Sequence, residues 1–237
     1  MQEYHIASGT ASLFCREIGT GTPLLLLHGN GENSLYFEKQ FEVFARFFRV
    51  IALDSRGHGG SSLGEEPLSI GLMADDVLAV LDALGLERVH LLGFSDGGNI
   101  ALKFALRYPE RVDKLILNGA NIRMLQGVQP WTQLPLYPLY GALHLLGKRN
   151  PQLAHRKEVL GLMLHDYGVT FDDLVNIEAE TLVITGQHDM IRTAETDRIA
   201  ASLPFVRRVT LPGAGHFCAS TAPAQFNLAV LRFLRDI

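Results

Sequence analysis

HLLGFSDGGNIALKFALRYPERV, residues His90 to Val112, is the stretch that decides the fold. Its apolar start ends in Gly93-Phe94-Ser95-Asp96-Gly97-Gly98, and an amphipathic segment follows. A strand, a tight turn and a helix in that order are expected here. A five-residue Gly-x-Ser-x-Gly match is weak by itself; the strand before it and the helix after it give it meaning. Residues two before and two after the serine have no room for side chains in such a turn, and glycines stand at both places. The turn would lift the Ser95 hydroxyl above the sheet at a helix N-terminus, where backbone N–H groups favour developing negative charge.

The same rhythm runs outward along the chain. Pro23–Gly29, Arg49–Asp54, Arg88–Phe94, Val112–Gly119, Glu180–Gly186 and Arg208–Gly213 read as buried strands, apolar on both faces as a helix-covered parallel sheet requires. Between them, Leu35–Phe48, Leu68–Leu84, Asn99–Tyr108, Ala194–Leu203 and Ala222–Leu234 carry helical periodicity. Two short segments flanking Gly9-Thr10 read as an edge hairpin. Alternation of this kind predicts an α/β fold, a mostly parallel central sheet with helices on both faces and right-handed crossovers. The rhythm breaks between about Ala120 and Ala179, where QPWTQLPLYPLYGALHLLG crowds prolines and aromatics together. Residues 1–120 and 180–237 are therefore expected to form the core, with 121–179 inserted as a small helical cap over the C-terminal strand ends. Trp131, Leu134, Leu136, Tyr137, Leu139 and Tyr140 are expected either simply to pack the cap or to roof an apolar pocket, with Trp131 the candidate for substrate contact.

Three further strand ends supply partners for Ser95. In LLLLHGNGEN, Asn30 is the candidate second backbone N–H for an oxyanion hole, beside that of Asp96; His28 is read as shaping the loop. LPGAGHFCAS places His216 on a loop of small residues able to carry an imidazole over a serine, as a general base must be. LVITGQHDM places Asp189 just past a strand, where a carboxylate can orient and stabilise the histidine. Asn118-Gly119-Ala120-Asn121, the main competing position, holds no carboxylate. The order is Ser95, Asp189, His216.

Together with ALDSRGHGGSS, these motifs resemble the α/β-hydrolases across nearly the full chain. The Ser-Asp-Gly-Gly turn followed by Asn-Gly-Ala-Asn is similar, more narrowly, to biphenyl-hydrolase-like and valacyclovir-hydrolase-like esterases. The resemblance implies an α/β-hydrolase fold, structural roles for Asp54, Arg56 and Gly57, and a helix starting at Ser61 and Ser62. Relatives that act on alkyl halides or epoxides carry aspartate where Ser95 stands; a serine favours acyl chemistry. Asp96 admits two readings: its carboxylate turns away and supports the helix N-terminus, or it meets a substrate cation.

The expected activity is cofactor-free hydrolysis of small to medium carboxylic esters through an acyl-enzyme. C–C bond hydrolysis and thioester cleavage by the same residues stay open, as do a hydroxynitrile-lyase-like lyase and a ligand-binding receptor. No metal is expected, since no H-E-x-x-H occurs and neither Cys15 nor Cys218 has a metal-type partner nearby. With a net charge of −4 across 237 residues and no basic run, nucleic acid is not an expected partner. No apolar stretch approaches the length of a membrane span, the N-terminus has no signal-peptide pattern, and two distant cysteines suit a reducing cytoplasm. The expected partner is a small-molecule ester, with a homodimer left open.

Overall fold

The computed structural model describes residues 1–237. Strands β1 (Gln2–Ser8) and β2 (Ala11–Ile18) form a hairpin. Then follow β3 (Pro23–Leu27), α1 (Glu38–Phe44), β4 (Arg49–Leu53), α2 (Ile70–Ala83), β5 (Val89–Phe94), α3 (Asp96–Arg107) and β6 (Val112–Asn118). Three helices come next, α4 (Pro130–Gln133), α5 (Leu136–Gly147) and α6 (Pro151–Leu162), before β7 (Glu180–His188). The chain ends with α7 (Thr193–Ser202), β8 (Val206–Gly215), α8 (Cys218–Thr221) and α9 (Pro223–Leu234). The eight strands form one sheet in the order β1-β2-β4-β3-β5-β6-β7-β8. It is parallel from β4 to β8; the hairpin joins β4 antiparallel and forms the expected edge.

Successive side chains of a strand point to opposite faces, so an unbroken apolar run feeds two cores. In β3, Leu25 and Leu27 pack with Met73, Val77 and Phe104 from α2 and α3. Leu24 and Leu26 pack with Phe41, Phe44, Phe226 and Phe233 from α1 and α9. β4 and β5 repeat the division, with Ile51 and Leu91 on the first face and Val50 and Leu92 on the second.

The strand order positions the site. From β3 the chain moves to one side to make β4, then returns to make β5 on the other side of β3. Loops leaving the C-terminal ends of β3 and β5 therefore diverge, opening a crevice where the strand order reverses. Asn30 lies on the first of these loops and Ser95 on the second.

Two details differ from expectation. Ser61 and Ser62 do not begin a helix; α2 starts at Ile70, where the Ser69 side chain caps the Leu72 N–H. Ser61 Oγ accepts from Phe14 N and donates to Asp54 O, and Ser62 Oγ accepts from Ser12 N. These serines bind the loop after β4 to β2, satisfying backbone groups that an edge would leave open. The predicted helix Leu35–Phe48 is also shorter, a 3₁₀ turn over Ser34–Phe37 followed by α1. The loop after β4 is held by charge. Arg56 is buried and donates to both Asp76 carboxylate oxygens, at 2.9 and 2.6 Å. Asp54 accepts from Ser34 N and Gly60 N. No helix is long and apolar enough to cross a membrane.

Candidate active site

Ser95 occupies the turn between β5 and α3 with φ of 53°, a left-handed value for a residue with a side chain. Its N–H donates to Asn118 O at 2.8 Å, and its carbonyl accepts from Gly98 N and Asn99 N. A Cβ on Gly93 would collide with the Gly97 carbonyl, and one on Gly97 with the Leu27 carbonyl. The turn therefore depends on glycine at both places.

His216 follows β8 and is buried, its ring packed against those of Phe94 and Phe217. Nε2 lies 3.1 Å from Ser95 Oγ, and Nδ1 lies 2.6 Å from Asp189 Oδ1. A carboxylate only accepts, so Nδ1 carries the proton and Nε2 keeps its lone pair toward the serine hydroxyl. Asp189 Oδ1 also accepts from Ile191 N at 2.9 Å. Gly119 lies against the imidazole; a Cβ there would meet His216 Cε1 at 2.8 Å. A side chain at Gly119 would therefore displace the ring.

His28 and His58 are committed elsewhere, His58 through Nδ1 to Arg56 O at 3.0 Å. His28 Nε2 accepts from Ser55 N, so Nδ1 donates to Gly29 O. Burial, followed by the neighbouring His58, pushes the His28 pKa well below its ordinary value and keeps the ring neutral. His188 is exposed.

Asp96 opens α3, so its backbone N–H has no partner within the helix. The Asn30 loop closes on itself through Glu32 N to Gly29 O, which leaves the Asn30 N–H outside the turn's hydrogen bonding. The Asn30 side chain does a job that the sequence did not reveal: Nδ2 donates to Asp96 Oδ2 at 2.9 Å and to Val159 O of α6 at 2.7 Å. One amide joins the loop after β3, the start of α3 and the cap.

Asp96 is only 6% exposed and meets no cation. Burial pushes its pKa up to about 6, against the smaller opposing effects of Asn30 and His216. The carboxylate is buried, paired with an amide and lines the cavity beside Ser95, so it does not turn away from the site as the first of the two readings expected. Glu32, also unforeseen, accepts from Gly29 N at 3.3 Å, and burial raises its pKa to about 7.

The raised Asp96 pKa has a consequence for stability. Folding favours the protonated acid, so the contribution of Asp96 to stability is fully present below about pH 4 and is lost as pH rises through about 6. A shift from 3.8 to about 6 costs on the order of 3 kcal/mol once the group is fully ionised. Asp96→Asn keeps an acceptor for Asn30 and removes the charge. We expect it to be more stable than wild type at pH 8, by about 1–3 kcal/mol, with the advantage vanishing near pH 4. Urea midpoints at both pH values measure this; an equal difference at the two would contradict the assignment.

The cap is fastened next to Asp189. Val128 pairs with Ile191, Gln129 N donates to Met190 O, and Arg192 N donates to Gly127 O. Buried Glu195 accepts from Ile122 N, Arg123 N and the Arg123 guanidinium. Beneath α4 a cavity of about 40 Å³ reaches Ser95 and Asp96, lined also by Met124, Gln133, Leu136 and Met163. Trp131 is not part of it. It is 70% exposed, a correction to its expected place in the pocket roof. On a helix, residues two apart point to nearly opposite sides, and in α4 it is Gln133 that turns inward. No group of three or more His, Cys, Asp or Glu side chains converges as metal ligands would.

A family profile described as alpha/beta hydrolase fold matches residues 22–142, just over half of the chain. The chain belongs to the alpha/beta hydrolase fold family. A putative carbamate hydrolase, RutD, from Caulobacter sp. (strain K31) is 30% identical, covering 96% of this hydrolase-fold chain and 97% of the relative. A 2-hydroxy-6-oxononadienedioate/2-hydroxy-6-oxononatrienedioate hydrolase from Burkholderia vietnamiensis is 34% identical over 73% of this chain and 60% of its own. Among solved structures, Est816, described as an N-acyl homoserine lactone degrading enzyme, superposes with a TM-score of 0.82 at 28% identity. That match covers 97% of this alpha/beta hydrolase and 100% of Est816.

Proposed function

We infer that this chain is a serine hydrolase that cleaves small carboxylic esters through an acyl-enzyme. The observation that carries this reading is His216, held between Ser95 Oγ and Asp189 Oδ1 with its Nε2 lone pair toward the hydroxyl. His216 takes the Ser95 proton as Oγ attacks the ester carbonyl. The tetrahedral oxyanion is held by the backbone N–H groups of Asn30 and Asp96. His216 then returns the proton to the leaving alkoxide, which departs as the alcohol. Water, deprotonated by His216, attacks the acyl-enzyme, and collapse releases the carboxylic acid and restores Ser95.

The 40 Å³ cavity supports a small acyl group, since it has room for roughly one to three water-sized groups. A second reading is supported by the near-full-length similarity to RutD: a carbamate, whose carbamoyl group is equally compact. It uses the same residues and forms a carbamoyl-enzyme, so the two readings differ only in the acyl group.

A fluorophosphonate probe followed by peptide mass spectrometry is expected to label Ser95 alone. A series of p-nitrophenyl esters is expected to lose at least about 10-fold in kcat/KM from propanoate to octanoate, since a chain longer than the cavity holds must displace the packed side chains around it. A label elsewhere, or no label on folded protein, would overturn the mechanism; equal turnover along the series would overturn the size limit.

A further inference from the structure

Gln133 is the lid residue that faces inward, and it is only 3% exposed. Its Nε2 donates to Met163 O at 2.8 Å. That bond fixes the amide orientation, because the reverse would set Oε1 against a carbonyl oxygen. Oε1 is buried and receives no hydrogen bond. A buried acceptor without a donor is uncommon and costs free energy that a suitable ligand recovers.

The other polar side chains of the lining have no donor to offer it. Thr132 Oγ1 donates to Gln129 O, Asn121 Nδ2 is directed at Arg123 O and Met124 Sδ, and the Ser95 hydroxyl lies on His216. Asp96, on the floor of the same cavity, only accepts when ionised. A polar cavity that presents acceptors selects a ligand that brings a donor. The acyl group is the portion bonded to Ser95 in both halves of the reaction, and Ser95 itself bounds the cavity.

We propose that Gln133 is a specificity-determining residue whose Oε1 accepts a hydrogen bond from an N–H or O–H on the substrate's acyl group, so that small donor-bearing acyl groups are preferred over alkyl groups of the same size. The proposal rests on the acyl-enzyme reading. It adds the substrate class: 2-hydroxyacyl, 2-aminoacyl or carbamoyl compounds, with one or two heavy atoms beyond the carbonyl.

The test compares p-nitrophenyl glycolate with p-nitrophenyl propanoate, which exchange a hydroxyl for a methyl. Wild-type kcat/KM for each is divided by its hydroxide-catalysed rate, removing the intrinsic difference in reactivity. Glycolate is expected to lead by about 10-fold or more. In Gln133→Met, similar in length and without the acceptor, that lead is expected to collapse about tenfold. A purely structural role through Met163 would slow both esters together and leave their ratio unchanged; that result overturns the proposal. Should Gln133→Met fail to fold, the wild-type ratio decides, and a value near one overturns it. Peptide mass spectrometry after fluorophosphonate treatment separates the two levels. Fluorophosphonate labelling of Ser95 together with an unchanged ratio sinks only the role of Gln133, whereas no labelling of the folded protein sinks the reading beneath it and the proposal with it.

Discussion

Ser95→Ala is expected to lower kcat on a p-nitrophenyl ester by about 10⁴- to 10⁶-fold, with the protein still folded. The variant loses the atom that would be acylated, and neither His216 nor the backbone donors can replace it. What remains is stabilisation of direct water attack by the N–H groups of Asn30 and Asp96. Ser95→Gly separates catalysis from strain. At φ of 53° and ψ of −119°, Ser95 sits where only glycine is at ease, at a cost of roughly 1–3 kcal/mol for other residues. Alanine keeps a Cβ and therefore keeps the strain. Glycine relieves it, offset by its greater freedom in the unfolded chain, roughly 0.5–1 kcal/mol. Both variants should be inactive, and Ser95→Gly should be the more stable by about 1 kcal/mol, seen as a higher urea midpoint. Retention of ester turnover in either variant would remove Ser95 from the chemistry. A Ser95→Gly midpoint below that of Ser95→Ala would show that the surrounding hydrogen bonds, not glycine's freedom, set the energy of the turn.

The strands were readable because burial on both faces leaves no ambiguity of period: PLLLL and RVIAL have nowhere to go but the centre of a sheet. Ser95, Asp189 and His216 were readable as neighbours because each immediately follows a strand of the parallel sheet, and parallel strands deliver their C-terminal ends to one edge. β8, expected to be buried on both faces, is instead the largely exposed edge strand. The cap was legible only as a break in rhythm. Trp131 was misplaced because α4 is a single short turn whose rotation is set by what it rests on, and no period can be read from four residues. Gln133 carries no apolar signal, so nothing in the sequence marks it as the residue that turns inward. Ser61 and Ser62 look like a helix start because serine suits both caps and loop-to-strand bonds. Which use applies depends on Phe14 and Ser12, some 50 residues away. The Asn30 side chain was hidden for the same reason: its partners, Asp96 and Val159, lie on elements remote in sequence.

Asp189→Asn tests the part of the site that never touches substrate. The carboxylate accepts the Nδ1 proton at 2.6 Å and is itself aimed by the Ile191 N–H, next to the Val128–Ile191 bridge that fastens the cap. In the proposed mechanism it would hold His216 as the Nδ1–H tautomer and stabilise the imidazolium formed when Ser95 gives up its proton. An asparagine that presents its NH₂ to Nδ1 reverses the tautomer. Nε2 then carries the proton, donates to Ser95 Oγ and can no longer accept from it. The neutral amide also withdraws the negative charge that the imidazolium needs. Ester kcat at neutral pH is expected to fall by about 10⁴-fold with little change in KM, because substrate binding does not involve Asp189. The rate of fluorophosphonate labelling should fall in parallel, since it draws on the same activated hydroxyl. A shift of the His216 ring nitrogens in ¹⁵N spectra, from the Nδ1–H to the Nε2–H pattern, would show the tautomer directly. Loss of activity with the Nδ1–H pattern intact would make the missing charge, and not the tautomer, the decisive effect. Retained labelling at the wild-type rate would exclude Asp189 from activating Ser95 at all.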